Sequence, residues 1–267
     1  MDISTILAKF TQQMRQEITY PDMQKEVLPR VIRFTRPAPG MSMVLYSDLN
    51  EANADAEIEE QIAFFTTNQL PFSWKMYAYD SPPDLLSRLR MHGFTPDPPD
   101  TLMALDLAEV PVELLKPSAV DVRQIGRDQL ADVIAVLQQV WGGDFTWIHA
   151  RHSAHLAIPN YLSIFVAYVA DAPVCAGWIY YPPGSEFASL WGGSTIPAMR
   201  NTGLYTAVLS ARVQEAIRRG RRYLVIDAGF QSRPIVERHG FVCLADIYAC
   251  DYTGLQAFTG ENPGKST

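Results

Sequence analysis

Residues 187–241 read, in order, as a strand, a polar turn with one glycine, an amphipathic helix, a second strand and a short helix. A β-branched run that ends at a proline and opens through such a turn into a helix leaves main-chain amides pointing out of the fold. The turn is Ile196-Pro197-Ala198-Met199-Arg200-Asn201-Thr202-Gly203-Leu204-Tyr205. The first four N–H groups of a helix have no helical acceptor, and the helix dipole adds partial positive charge there. The result is an anion site, most often for a phosphate or diphosphate. Gly203, without a Cβ, lets the main chain come close to a ligand. Behind the turn, Leu204, Val208, Leu209, Val213, Ala216 and Ile217 recur at helical spacing, and Gly220 is placed to stop the helix. Tyr223-Leu224-Val225-Ile226 reads as a buried strand, Ser232 as the N-cap of a short helix ending near His239-Gly240, and Phe241 as the start of a strand running to about Tyr252.

Ahead of the turn lies a meander of strands at 164–169, 174–181 and 187–196, joined at Asp171-Ala172-Pro173 and Pro182-Pro183-Gly184. Gly192-Gly193 inside the third strand marks a bulge or a close backbone approach, because paired glycines weaken a regular strand.

Arg200-x-x-Gly203-x-Tyr205, the helix end at Arg219-Gly220, the strand 223–227 and Ser232-x-Pro234-Ile235 leading to Gly240-Phe241 resemble the GNAT superfamily of N-acetyltransferases. The likeness covers about residues 119–252 and is sharp over 187–241. It implies an α/β (α+β) fold, a mixed, mostly antiparallel twisted sheet flanked by helices. It also implies acetyl-coenzyme A as co-substrate, its diphosphate held at Arg200, Asn201, Thr202, Gly203, Leu204 and Tyr205. Backbone groups of Ser194, Thr195 and Ile196, beyond the bulge, would hold the pantetheine arm and the thioester carbonyl, and Ser232 lies near the family's polar contact to that arm. Two departures stand out. Tyr205 occupies a position where the family has Gly or Ala, and Val236 replaces a tyrosine that serves many members as acid. The implied reaction is direct transfer of an acetyl group from a thioester to a primary amine of a small metabolite. It demands orientation, a neutral amine and a route for the proton. Asp227, at a strand end, is the best-placed carboxylate for a base, and Glu186 is a second.

The first part of the chain repeats this order. Strands at 41–46 and 73–79, helices at 54–65 and 83–92, and a strand at 101–107 follow one another, and Arg90-Met91-His92-Gly93-Phe94 echoes Glu237-Arg238-His239-Gly240-Phe241. Two prolines at 107–118 mark a boundary, so the expectation is two tandem GNAT-like domains, 1–117 and 118–267. The first has no glycine at its turn and carries Asp48, Glu51 and Asp55 there. Carboxylates favour a helix N-terminus but repel a diphosphate. The expectation is a degenerate domain without a coenzyme site. An amphipathic helix is expected over 3–20, the stretch 27–34 is ambiguous, and Pro37, Pro39 and Gly40 make a turn.

A helix is expected over 122–140, then a loop, Trp141-Gly142-Gly143-Asp144-Phe145-Thr146-Trp147, whose rings suit an apolar or aromatic acceptor wall. His149, His152 and His155 could share a helix face. No carboxylate or cysteine joins them at ligand spacing, so they read as a polar rim over a substrate cleft, and no metal is expected.

Of 267 residues, 48% are hydrophobic and 19% charged, which suits a folded core, and the net charge of −7 disfavours a nucleic-acid partner. No apolar run reaches membrane-spanning length, and no signal peptide is evident. Cys175, Cys243 and Cys250 read as reduced strand cysteines of a cytoplasmic protein. The expected partner is a small-molecule amine, with no nucleic acid and no membrane, in a monomer or homodimer. Two other readings are a non-catalytic acyl-coenzyme A sensor and, against the acidic charge, an aminoacyl-tRNA-dependent transferase. The tail 253–267 is expected to fray.

Overall fold

The computed structural model describes residues 2–37 and 40–254. Pro39 of the expected turn and all but the start of the expected frayed tail lie outside them. The chain forms two compact units. A C-terminal unit holds residues 104–226 and 234–242, and an N-terminal unit holds 2–103, 227–233 and the described residues from Cys243 on.

The N-terminal unit opens with α1 (Ile3–Phe10), continued by a π-helical turn, Thr11–Gln16. The Asp2 carboxylate caps α1 by accepting the Ser4 amide at 3.1 Å. Strands β1 (Gln24–Val27) and β2 (Val31–Thr35) form an antiparallel hairpin over the ambiguous stretch. Next comes β3 (Ser42–Ser47), antiparallel to β2; then α2 (Ala54–Thr67) crosses over to β4 (Phe72–Tyr77), which is parallel to β3. After α3 (Leu85–Met91) come β5 (Phe94–Pro96), which sequence periodicity missed because it is so short, and β6 (Asp100–Asp106). Phe65 stacks on Phe72 at 4.1 Å in a core shared with Trp74, Ile58 and Leu89.

The C-terminal unit begins with a correction. Residues 121–125 form β7 (Asp121–Ile125), paired antiparallel from Asp121–Tyr168 to Ile125–Ile164, where a helix was expected. The helical pattern starts only after Gly126, which is extended and breaks it, so α4 is Leu130–Trp141. Then follow α5 (Trp147–Leu156), β8 (Leu162–Val169), β9 (Ala172–Tyr180), β10 (Phe187–Thr195), α6 (Leu204–Arg218), β11 (Tyr223–Ala228) and α7 (Arg233–Arg238). The strand order is β7-β8-β9-β10-β11, antiparallel except for the parallel β10–β11 pair that α6 bridges. β8 and β9 are buried at nearly every position, as strands covered on both faces must be. α4 and α5 cover one face, and α6 covers the other.

The last strand, β12 (Val242–Tyr252), belongs from Cys243 on to the N-terminal unit, where it pairs with β4 (Ile247–Tyr77 to Asp251–Ser73) and β5. The segment 107–118 is not a free connection. It packs within the C-terminal unit, where Leu114 is fully buried and its carbonyl accepts from Ser210 Oγ (2.5 Å) and Gln214 Nε2 (3.0 Å) of α6.

Both units use the same order: antiparallel pair, crossover helix, parallel strand, short helix (β2-β3-α2-β4-α3 and β9-β10-α6-β11-α7). The sequence echo falls at the same place in each. Gly93 (φ +88°) ends α3 and Gly240 (φ +86°) ends α7, both in the left-handed conformation that glycine supplies without strain. The architecture is mixed α/β, with mostly antiparallel sheets flanked by helices.

Candidate functional site

The site is built where β10 gives way to α6. β10 and β11 pair only from Phe187–Tyr223 to Ser189–Val225 and then part. On the other side, β10 breaks register with β9 between Trp191 and Ser194, which is the bulge expected at Gly192-Gly193. Two aromatic rings make the bulge, one on each face. Gly192 has φ +61°, and a Cβ there would lie 1.9 Å from the Trp178 ring. A Cβ on Gly193 would lie 2.8 Å from the Tyr205 ring. Larger residues at either position would have to displace an indole or a phenol.

That packing answers the question raised by Tyr205. Its side chain, from the first turn of α6, lies against Gly193 rather than over the turn, so the bulk that the family avoids is housed under β10. Burial pushes the phenol's pKa up. Beside it lies Arg212, 1% exposed, its guanidinium carbon 6.0 Å from the Tyr205 ring centroid. Arg212 Nε donates to Val208 O (3.3 Å) and Nη1 to Trp191 O (3.4 Å) at the bulge, while Nη2 finds no acceptor among the described residues. Gly177 of β9 makes the room, since a Cβ there would stand 2.9 Å from the guanidinium. Burial lowers the Arg212 pKa. Sequence reasoning missed Arg212. The available signal was an arginine on the apolar stripe of α6.

Between β10 and α6 the main chain makes a 3-10 turn, Pro197–Met199, then Arg200 in extended conformation, Asn201 at φ +63° and Gly203 at φ +84°. Asparagine and glycine are the residues that tolerate the left-handed region. The turn is held by its own side chains: Thr202 Oγ1 donates to Met199 O (2.6 Å) and Arg200 Nε to Thr195 O (3.3 Å). Among the described residues no acceptor meets the main-chain amides from Asn201 to Thr206; the first satisfied amide of α6 is Ala207 N–H, bonded to Gly203 O at 2.9 Å. No acidic side chain lies in the first turn of α6, and nothing stands within 4 Å of where a Gly203 Cβ would be. Successive amides around left-handed residues at a helix start form an anion-binding concavity.

The strand residues divide by parity. Ile196 N–H already bonds Val174 O at 3.0 Å, so its amide faces β9. In an antiparallel pair alternate residues turn away, so Thr195, opposite Cys175, presents its main-chain groups to the side where β11 has parted. Its hydroxyl donates to Cys175 Sγ at 3.2 Å. Ser194 is 4% exposed, and its hydroxyl accepts from Trp141 Nε1 at 3.0 Å.

Asp227 and Ser232 fall in the N-terminal unit. Asp227 Oδ2 is 2.5 Å from Lys75 Nζ of β4. Burial works against the Lys75 charge, yet the facing carboxylate prevails and the ammonium's pKa is raised. Asp227 Oδ2 is thus occupied by an ammonium of its own unit. Ser232 Oγ donates back to Gly229 O at 3.2 Å. Val236 is fully buried.

The three histidines do not share a face. His149 is exposed, whereas His152 and His155 are buried under α5. His155 Nδ1 lies 3.0 Å from Tyr180 Oη, and His152 packs edge-on to Trp178 at 4.8 Å, which corrects the polar-rim reading. Burial holds the His152 pKa at about 3, so the ring is neutral near pH 7. Among the described residues no three His, Cys, Asp or Glu side chains form a metal-binding group.

The N-terminal unit treats the equivalent places differently. β3 and β4 also part, after Val44–Trp74. Arg15, from the π-helical turn, fills the opening: Nε donates to Leu45 O (3.1 Å), and Nη1 and Nη2 donate to Asp80 (2.6 and 2.8 Å) over the Tyr77 ring. At the start of α2 asparagines, not carboxylates, consume the amides. Asn50 Oδ1 accepts from Ala52 (3.0 Å) and Asn53 (3.1 Å), and Asn53 Oδ1 accepts from Asn50 (2.8 Å). Asp55 instead bonds Arg88 and His92, while Asp48 and Glu51 stay exposed.

Comparison with solved structures settles the architecture. The chain superposes on a GCN5-related N-acetyltransferase from Kribbella flavida with a TM-score of 0.67 at 14% identity, over 94% of this chain and 93% of that one. The fold is that of the GNAT N-acetyltransferases. A functionally unknown conserved protein from Staphylococcus epidermidis matches with a TM-score of 0.65 at 17% identity, over 87% of this chain and 95% of that one. A tandem GNAT protein from the clavulanic acid biosynthesis pathway matches with 0.61 at 11%, over 88% and 84%. No protein-family model matches the sequence, and no curated protein does. No described helix of this GNAT-fold chain is long and apolar enough to cross a membrane.

Proposed function

We propose that the chain transfers an acetyl group from acetyl-coenzyme A to a primary amine of a small molecule. The observation that carries this reading is the run of six amides, 201–206, that meet no acceptor among the described residues at the start of α6, beside a strand that is bulged and parted from its neighbour. The fit to a diphosphate is good on three counts: left-handed Asn201 and Gly203, no acid in the first helical turn, and Tyr205 packed away under Gly193. In this reading the amides from Asn201 to Tyr205, with the Arg200 side chain, hold the diphosphate, and the main chain of Thr195 holds the pantetheine arm. Ser194 and Ile196 shape that strand end. When bound, the donor supplies an acetyl group already activated as a thioester. The protein's share is then orientation, exclusion of water and removal of one proton. Asp227, paired with Lys75, is not assigned that proton, and water carries it.

In this reading the catalytic part is the C-terminal unit, 104–226 and 234–242, rather than 118–267, and the N-terminal unit is a degenerate copy whose opening Arg15 closes. We infer a cytoplasmic protein acting as a monomer or homodimer. The test is calorimetric titration with acetyl-coenzyme A. One donor per chain is expected, and Gly203→Asp should weaken binding roughly a hundredfold or more, since a carboxylate would face the diphosphate at contact distance. A folded protein indifferent to millimolar donor, or a Gly203→Asp variant that binds normally, refutes the proposal.

A second reading, a non-catalytic acyl-coenzyme A sensor, is favoured by the Asp227–Lys75 pair and by buried Val236. Saturable donor binding without thiol release on any amine would select it.

A further inference from the structure

We propose that the acceptor amine is aromatic: a primary amine carried on a flat ring, seated against the α4–α5 side of β9 and β10. The proposal rests on the acetyl-transfer reading above and names its substrate class.

Four of the chain's five tryptophans, Trp141, Trp147, Trp178 and Trp191, gather on this one face. Trp178 is sealed in the core at 3% exposed, but the rings around it are not. Trp141 is 41% exposed, and Phe145, Trp147, Tyr180 and Trp191 are only half-buried. The face reaches the bulge directly, because Trp141 Nε1 donates to Ser194 Oγ at the strand end and the Trp178 ring lies against Gly192. A ring bound there would stand next to the place where the pantetheine arm is proposed to end.

Two polar groups on this face have no protein partner among the described residues. Both ring nitrogens of His152 are buried and unbonded, in a side chain 2% exposed, and so is Trp147 Nε1. Buried donors and acceptors are nearly always satisfied, so unsatisfied ones next to a half-open aromatic wall point to a ligand's polar substituent. The face offers little to hold a polycation: Asp132 accepts from Tyr168 Oη at 2.5 Å, and Asp144 accepts from the Thr146 amide at 2.8 Å in an exposed loop.

The experiment has two arms. Calorimetry in the presence of coenzyme A compares tryptamine, tyramine and phenethylamine with putrescine and lysine, and thiol release from acetyl-coenzyme A gives kcat/KM for each. Aromatic amines should bind at sub-millimolar concentration and turn over at least about tenfold better. Trp147→Ala should lower kcat/KM for them about tenfold, with acetyl-coenzyme A affinity unchanged and Trp147→Phe restoring most of the loss. Equal or better use of the aliphatic amines, or no aromatic amine bound by a chain that binds acetyl-coenzyme A, overturns the proposal. Aromatic amine binding by a chain that ignores acetyl-coenzyme A leaves the ring site standing and removes the transferase reading instead.

Discussion

The packing of Tyr205 under Gly193 makes a quantitative prediction about a residue that looks replaceable. Gly193 is exposed and lies outside the left-handed region, so by local conformation alone Gly193→Ala would be neutral or stabilising by about 0.4–1 kcal/mol. The structure says otherwise. The added methyl would meet the Tyr205 ring at 2.8 Å, where ordinary contact begins at 3.4 Å. Forcing a ring aside in a packed site costs about 1–3 kcal/mol. Tyr205 stands in the first turn of α6, so its displacement should lower donor affinity as well. Tyr205→Ala removes the clash. In that background Gly193→Ala should return to its local value, and the two substitutions should couple by about 2 kcal/mol. Urea unfolding of the four proteins gives the stability cycle, and titration with acetyl-coenzyme A gives the binding cycle. If Gly193→Ala costs the same with and without the tyrosine ring, the account of how this chain houses Tyr205 is wrong.

Other outcomes can be checked with simple variants. His152 titrates near 6.5 when unfolded but at about 3 when folded, so between those values the unfolded chain binds the extra proton and stability falls as pH falls, by up to about 1.4 kcal/mol per pH unit. His152→Phe should remove that share of the acid limb in urea titrations from pH 7 to 4; an unchanged limb would refute it. Arg15→Met should destabilise by about 3–5 kcal/mol, because it strands a buried Asp80, whereas Arg15→Met with Asp80→Leu should cost clearly less than the two single changes together. Additive losses would mean the pair is not a unit. Asp227→Asn should leave turnover within about threefold, since the carboxylate serves Lys75; a loss of roughly a hundredfold would restore it as the base.

Much of the candidate anion site's backbone was legible in residue order. The Asn201–Gly203 turn, the helix behind it and the Gly192-Gly193 bulge lie within a short stretch, and short-range patterns of glycine, proline and helical spacing report local backbone directly. The repeat of Arg90–Phe94 in Glu237–Phe241 carried through for the same reason, because both glycines cap a helix. β7 was misread because Val122 extends the apolar pattern of α4 backwards, and only its pairing with β8 makes it a strand. Asp227 illustrates the opposite limit. Its place at a strand end was evident, but its partner Lys75 comes from the other half of the chain.

By itself, then, the amino-acid order determined most of the strands other than β1, β2, β5 and β7, where a helix starts with amides that meet no acceptor among the described residues, and where a strand must bulge, since these depend on neighbours a few positions apart. Three-dimensional packing decided the rest. It turned Tyr205 under Gly193, filled the first opening with Arg15, lent the last strand to the N-terminal unit and gathered four tryptophans on one face. Each of those depends on which distant side chain occupies a given volume, and no local spacing encodes that.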